Sequence, residues 1–241
     1  CMSGLDFKAL FLGHVDIPPS QRAPIAEARR RAFHAMAPIA AIHSLLTAVV
    51  LTFAFWTEPA MPLVFVWCYA SAVLVFIRIR EARRPPVTGE GVAEDNRIVS
   101  YTLLSGALWG AIIAALVASS EPQHHLLLGV LTAAILCVGA LLHSGFPAAS
   151  LGYSLLVGFG ACLGLMLGHH QWAVNAAILL VGGVMALQRF SAATHASDIR
   201  RMLDAAELRD AKETMGLLLN DFQAHSADWL WSVDASKCLG P

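Results

Sequence analysis

Residues 125–143 read HLLLGVLTAAILCVGALLH, and residues 146–168, after the turn Ser144–Gly145, read FPAASLGYSLLVGFGACLGLMLG. Neither segment contains Asp, Glu, Lys or Arg. Each is long enough for the hydrocarbon core of a bilayer, which takes about 20 apolar helical residues. The runs are continuous, whereas membrane barrel strands alternate apolar and polar residues over about ten positions. The two segments therefore predict neighbouring membrane-spanning helices.

Four further segments are also long and apolar and contain no acidic residue, and they extend the prediction to six spans. Of the 241 residues, 57% are hydrophobic and 14% are charged, against about 25% charged residues in soluble domains. The net charge of -1 offers no basic face for nucleic acid. We expect an all-α, integral membrane six-helix bundle over residues 33–190, with spans at Phe33–Trp56, Met61–Ile79, Ile98–Ala118, His125–His143, Phe146–Gly168 and Trp172–Phe190.

Basic residues occupy alternate connections between the spans. Arg29–Arg31 precede the first span, several arginines lie within residues 78–97, and Arg200 and Arg201 follow the sixth span. The connections 57–60, 119–124 and 169–171 contain no Lys or Arg. The positive-inside rule therefore predicts that both termini, including the N-terminal arm of residues 1–32, lie in the cytoplasm. Residues 83–96, rich in Pro and Gly, are predicted to be a cytoplasmic linker.

Residues 191–222 have mixed charge and an apolar stripe with three- and four-residue steps, typical of a coiled coil. Two interpretations stay open: a parallel signalling helix that forms a homodimer, or a helix that packs on its own membrane bundle. The stripe consists of Leu208, Ala211, Met215, Leu218 and Phe222.

Polar residues within a span are costly in lipid and are candidates for function. His43 lies near the middle of the first span, where it has either a structural role or a ligand or proton role. Asn175 and Gln188 in the sixth span, and Tyr153 in the fifth, are expected to hydrogen-bond between helices. The glycines within 158–164 and 182–183 predict close helix packing.

The histidine pairs at the predicted outer ends of the spans form a candidate metal site. His124, His125, His169 and His170 could together ligate Zn or Cu, since imidazole suits both metals. A pH-responsive cluster and plain interfacial polarity are the alternatives. Haem is disfavoured, because His43 and the histidine at position 143 lie at different predicted depths. No other cofactor is indicated.

Sequence motifs for catalysis are absent from the chain. It contains no GxSxG, HExxH, P-loop or dinucleotide fingerprint. We therefore predict that this chain is not itself an enzyme. A self-contained small transporter or membrane enzyme remains the alternative, although transporters usually carry polar residues at mid-depth on broken helices.

Residues 220–234 read NDFQAHSADWLWSVD. Trp229 and Trp231 would share one face of a strand, and Asp234 would open the next turn. Together with Asp228, this stretch resembles the opening of a bacterial PAS domain, where such a signature begins the first strand. An amphipathic helix on the membrane surface is the alternative. Because the pattern stops at residue 241, residues 223–241 are expected to be the truncated start of a PAS domain.

The layout of six short-looped spans, a helix and a PAS start is similar to membrane-associated sensor (MASE-type) modules. Those modules precede GGDEF, GGDEF–EAL or histidine kinase domains. The resemblance implies a multi-pass protein of the bacterial inner (cytoplasmic) membrane. It also implies an input module that passes a membrane or outer-rim signal through span 6 to PAS and output domains, with cyclic di-GMP turnover favoured over a histidine kinase.

Overall fold

The computed structural model of the chain describes residues 12–13, 15–83, 91–168 and 172–226. Among these residues there is no strand. The α-helices, numbered in chain order, are α1 (Pro19–Ala35), α2 (Ala37–Ala54), α3 (Met61–Ala82), α4 (Val92–Ser119), α5 (His125–Leu142), α6 (Pro147–Leu167) and α7 (Ala173–Ser226). Six segments are long and apolar enough to cross a membrane: α1 with α2, and each later helix, α5 being counted with the 3-10 turn Pro122–His124. For the described residues, the prediction of an all-helical chain with six apolar helices is therefore confirmed.

The predicted first span is interrupted at Met36, between α1 and α2. Pro38 is the cause, because proline lacks an amide hydrogen and its ring clashes with the carbonyl of the residue four positions earlier. The Met36 amide instead bonds to the Phe33 carbonyl oxygen at 3.2 Å. Upstream of the interruption, most of α1, which has 17 residues, belongs to the predicted N-terminal arm.

The predicted linker 83–96 is shorter than expected, because α4 already begins at Val92. Gly91 ends the linker with a left-handed backbone (φ 53°), and its carbonyl accepts the amides of Glu94 and Asp95. These two carboxylates lie in the first turn, where the helix dipole favours negative charge. A Cβ at Gly91 would also lie 2.7 Å from the Arg30 guanidinium, so this position requires glycine for both reasons.

Helices α4 and α6 form the tightest contact of the bundle through two facing GxxxG sequences. Gly106 and Gly110 lie on α4, and Gly160 and Gly164 lie on α6. A Cβ on Gly160 would overlap the Gly110 backbone, and one on Gly164 would lie 2.8 Å from the Ala114 carbonyl oxygen. Small residues of this kind let two helix backbones touch in a membrane. The close packing predicted for the glycines of 158–164 is therefore confirmed at Gly160 and Gly164.

The largest apolar core surrounds this contact. Trp67 of α3 and Trp109 of α4 lie with their ring centroids 4.4 Å apart, and Phe55, Val64 and Ile135 are completely buried. The chain divides into two compact units, residues 1–199 and 200–241. The core, the groove and the polar clusters described below all belong to the first unit.

Candidate functional site

An apolar groove of about 780 Å³ lies between α5 and α7, with α6 at its base. Its volume is within the range of about 300–1,000 Å³ for small-molecule sites, which are mostly apolar. Leu179 is 77% exposed and Phe190 is 59% exposed, so the groove is open at the surface of the bundle. The lining residues are Val117, His125, Leu128, Gly129, Thr132, Ala133, Leu136, Cys137, Ala161, Leu165, Trp172, Ala176, Leu179, Leu180, Gly183, Ala186, Leu187 and Phe190.

The groove exists because α5 and α7 do not meet at their glycines. A Cβ added to Gly129 of α5, or to Gly182 or Gly183 of α7, would find no atom within 4 Å. The close packing predicted at Gly182–Gly183 is therefore wrong. A glycine shortens the distance between helices only where the partner presents its backbone; here bulky side chains such as Leu128 and Leu180 line the groove from both helices.

One end of the groove is formed by an aromatic contact between α5 and the start of α7. The rings of His125 and Trp172 meet edge to face, with centroids 5.4 Å apart. The neighbouring His124 turns elsewhere: its Nε2 lies 3.2 Å from Glu58 Oε1, and its ring lies 4.9 Å from that of Phe55. The two adjacent histidines of the proposed metal site therefore take different partners.

His169 and His170, the other half of that metal site, lie outside the described residues. Within the described part of the chain, no three His, Cys, Asp or Glu side chains are grouped so that they could hold a metal ion. His43 and His143, the pair considered for haem, have different surroundings. His43 lies 6.1 Å from the Trp109 ring, whereas His143 stacks on Tyr153 at 5.0 Å.

The other end of the groove is held by buried polar contacts between α6 and α7. Gln188 of α7 is 1% exposed, and its Nε2 donates to the Pro147 carbonyl oxygen at 3.3 Å. The Ser150 hydroxyl lies 3.5 Å from Gln188 Oε1 and 3.3 Å from the Ser191 hydroxyl. Helix α7 is thus attached to the bundle near both ends of the groove, and between them Val184 is buried in the core while Leu179 and Gly183 line the groove. Asn175, by contrast, is exposed and forms no hydrogen bond with a described residue.

Arginines of α1 join several elements at one end of the bundle, which we call the basic end (α1, the start of α4 and the turn 144–145). Arg30, only 2% exposed, places Nη1 3.3 Å from Asp95 Oδ1 and Nε 3.4 Å from Glu94 Oε2. His34 Nε2 lies 3.0 Å from Glu94 Oε1. Arg29 donates to the Gly145 carbonyl oxygen at 2.7 Å. In the sequence these arginines indicate only the topology, whereas in the structure Arg30 is a buried ion-pair partner.

Next to the basic end, α7 packs against the N-terminal arm. Gly13 has φ 57°, and a Cβ there would overlap the Ala192 carbonyl. Ala192 and Ile199 are each 1% exposed. His195 hydrogen-bonds to the Ser144 backbone. This part of α7 is therefore enclosed by neighbouring segments.

The apolar stripe predicted in residues 208–222 belongs to the second unit, where residues 200–226 are helical. Leu208, Met215, Leu218 and Phe222 are 60%, 64%, 65% and 70% exposed. An apolar stripe this exposed leaves a face that a second helix can cover. The PAS-like positions Asp228, Trp229, Trp231 and Asp234 lie outside the described residues.

The groove is a feature that the sequence did not predict. Its sequence signal is a pair of small residues one turn apart on each wall, Gly129 with Ala133 on α5 and Gly183 with Ala186 on α7. The same signal marks close-packed helices such as α4 and α6, so it does not identify a groove by itself.

Comparison of the chain with protein-family models, curated proteins and solved structures finds no match. Function is therefore inferred from the groove, from α7 and from the basic end.

Proposed function

We propose that the chain is the membrane-embedded input module of a bacterial signal-transduction protein, and that it responds to what occupies the α5–α7 groove. The observation that carries the proposal is the length of α7. Several of its residues between Ala176 and Phe190 line the groove, and the same helix continues to Ser226. A helix with one part on a ligand groove and another part bearing an exposed apolar stripe is suited to carry a signal between them.

The groove suits an apolar signal that arrives through the bilayer, such as an acyl chain or a lipid-soluble small molecule. Because lipid tails are as apolar as the lining of the groove, selective binding of such a ligand depends on its van der Waals fit to the groove. The ligand changes the protein only to the extent that it binds one arrangement of α7 more tightly than another. Between its contacts at Trp172 and Gln188, α7 has the open groove on one side, so a small shift or rotation of its middle into that space is the change that the packing permits.

The receiving end of the signal is the stripe Leu208, Ala211, Met215, Leu218 and Phe222. Its heptad spacing supports a parallel homodimer, in which a shift of α7 changes the coiled-coil arrangement. The basic connections support an orientation in which both termini lie on the cytoplasmic side of the inner membrane. Downstream PAS and output domains, with cyclic di-GMP turnover favoured, would read that arrangement.

Two adjacent glycines of α7 provide a matched test. Gly182 and Gly183 both have open space around their Cβ positions, but only Gly183 lines the groove. We expect Gly183→Phe, in a fusion of the chain to a diguanylate cyclase reporter domain, to change cyclic di-GMP output by about fivefold or more, as for typical coupling between sites. Gly182→Phe should leave output within about twofold, since it adds the same side chain away from the groove.

The readout is cellular cyclic di-GMP at equal amounts of membrane-inserted fusion protein. Equal output from the two variants and the unmodified fusion would reject the groove as the input site. A change that is the same in both variants would assign the effect to helix propensity, which also contradicts the proposal.

A further inference from the structure

A second, smaller cavity of about 170 Å³ lies at the basic end, between α1, α3 and α4. It is smaller than the sites of whole small molecules, which start at about 300 Å³, so it suits a single chemical group. Its walls combine apolar side chains such as Ile77 and Ile98 with the charged side chain of Arg78. It is separate from the α5–α7 groove and shares no lining residue with it.

Arg78 of α3 is the unusual residue of this cavity. It is 5% exposed, and its guanidinium carbon lies 4.4 Å from the Phe33 ring centroid and 5.6 Å from that of Tyr101. One Nη atom donates to the Phe33 carbonyl oxygen at 3.5 Å. Nε is buried and has no hydrogen-bond partner among the described residues. No described carboxylate forms an ion pair with Arg78.

The carboxylates at the cavity do not neutralise this charge. Glu94 faces Arg30 and His34, at 3.4 and 3.0 Å. Glu81 also lines the cavity. The exposed Arg97 adds a second guanidinium to the lining and has no ion pair with a described residue. Among the described residues, the charge of this buried cation is therefore compensated only by the Phe33 and Tyr101 rings, the Phe33 carbonyl and the Tyr101 hydroxyl.

We propose that Arg78 and its cavity bind an anionic phosphate group. A buried charge is normally paired, because removing an unpaired ion from water is costly. The planar guanidinium, held between Phe33 and Tyr101, presents its remaining N–H groups in the fork geometry that matches phosphate oxygens. Two sources share this chemistry. One is the headgroup of a lipid at the membrane surface, where basic residues attract anionic lipid; the other is a free phosphate-bearing solute.

The test uses the purified full chain in detergent, with unfolding followed by tryptophan fluorescence during heating. The probes are phosphatidic acid, diacylglycerol with the same acyl chains, and inorganic phosphate. Phosphatidic acid is expected to raise the unfolding midpoint, and diacylglycerol is not, since the two differ only by the phosphate. A comparable rise with inorganic phosphate assigns the site to a free anion, and a rise with phosphatidic acid alone assigns it to a lipid headgroup.

Two arginines of α3 give the matched variants. Arg78→Gln should weaken the apparent affinity for the phosphate probe by about tenfold or more, as expected for loss of a charge-assisted hydrogen bond. Arg80→Gln removes an exposed arginine two residues away and should change the affinity by less than about threefold. If Arg78→Gln does not fold, Arg78→Lys keeps the charge without the fork, and its affinity should fall several-fold. Wild-type affinity in the Arg78 variant that folds, or no response to either phosphate probe, overturns the proposal.

Discussion

Replacing Gly160 by leucine is expected to prevent the bundle from reaching its folded state. The Cβ alone would overlap the Gly110 backbone, so the clash cannot be relieved by a change of side-chain rotamer. Overpacking of a core typically costs about 1–3 kcal/mol when side chains can move. Here α4 and α6 would have to separate along their whole GxxxG contact, and we expect a loss of more than about 3 kcal/mol, a large part of the stability of a typical domain.

The measurement is the yield of monodisperse protein after detergent extraction, followed by the unfolding midpoint of whatever remains. Gly182→Leu is the control, because it adds the same side chain to a helical glycine with no atom within 4 Å of its Cβ. We expect Gly182→Leu to be close to wild type. Similar yields and midpoints for the two variants would show that α4 and α6 are not in backbone contact.

Replacing Arg30 by alanine is expected to have the second largest effect. The Arg30 side chain is 3% exposed and lies between the Glu94 and Asp95 carboxylates, so its removal leaves two partly buried negative charges without their main partner. Breaking a buried ion pair from one side costs about 3–5 kcal/mol. Because the carboxylates retain some exposure, 19% and 32%, we expect a value near the lower figure, about 3 kcal/mol.

The neighbouring Arg31 provides the control. Its side chain is 66% exposed and pairs with Glu27 one turn earlier on the same helix. Exposed pairs of this spacing contribute only about 0.3–0.5 kcal/mol, so Arg31→Ala should be nearly silent. Unfolding midpoints of the two purified variants decide the question. Equal midpoints for Arg30→Ala and Arg31→Ala would contradict the buried ion-pair arrangement of the basic end.

The sequence predicts the helices well because their signal is local. Segments such as residues 125–143 have no charged residue over the length of a span, and this alone indicates a membrane helix. The predicted helix boundaries are less accurate where two sequence signals compete. The apolar pattern runs straight through Met36, while Pro38 interrupts the helix there. Before α4, the Pro and Gly residues predicted a linker as far as residue 96, whereas Glu94 and Asp95 favour a first helical turn there.

Features that depend on distances between helices could not be predicted in this way. Gly160 and Gly183 look alike in sequence, but one touches a backbone and the other faces an open groove. The positive-inside rule counts Arg30 and Arg78 in the same way as exposed arginines, although both are buried. Burial depends on which helices pack against the residue, and composition within one helix does not carry that information.

Disulfide crosslinking in the second unit tests most directly whether α7 connects the groove to a dimeric stripe. The five native cysteines are replaced, and single cysteines are placed at the stripe positions Leu208, Ala211, Met215 and Leu218, with Glu213 as the position opposite the stripe. In membranes, we expect rapid crosslinking at the stripe and slow crosslinking at Glu213. Adding Gly183→Phe should redistribute the rates among the stripe positions, and adding Gly182→Phe should not. Equal rates at the stripe and Glu213, or a stripe pattern unaffected by Gly183→Phe, would contradict the proposed transmission through α7.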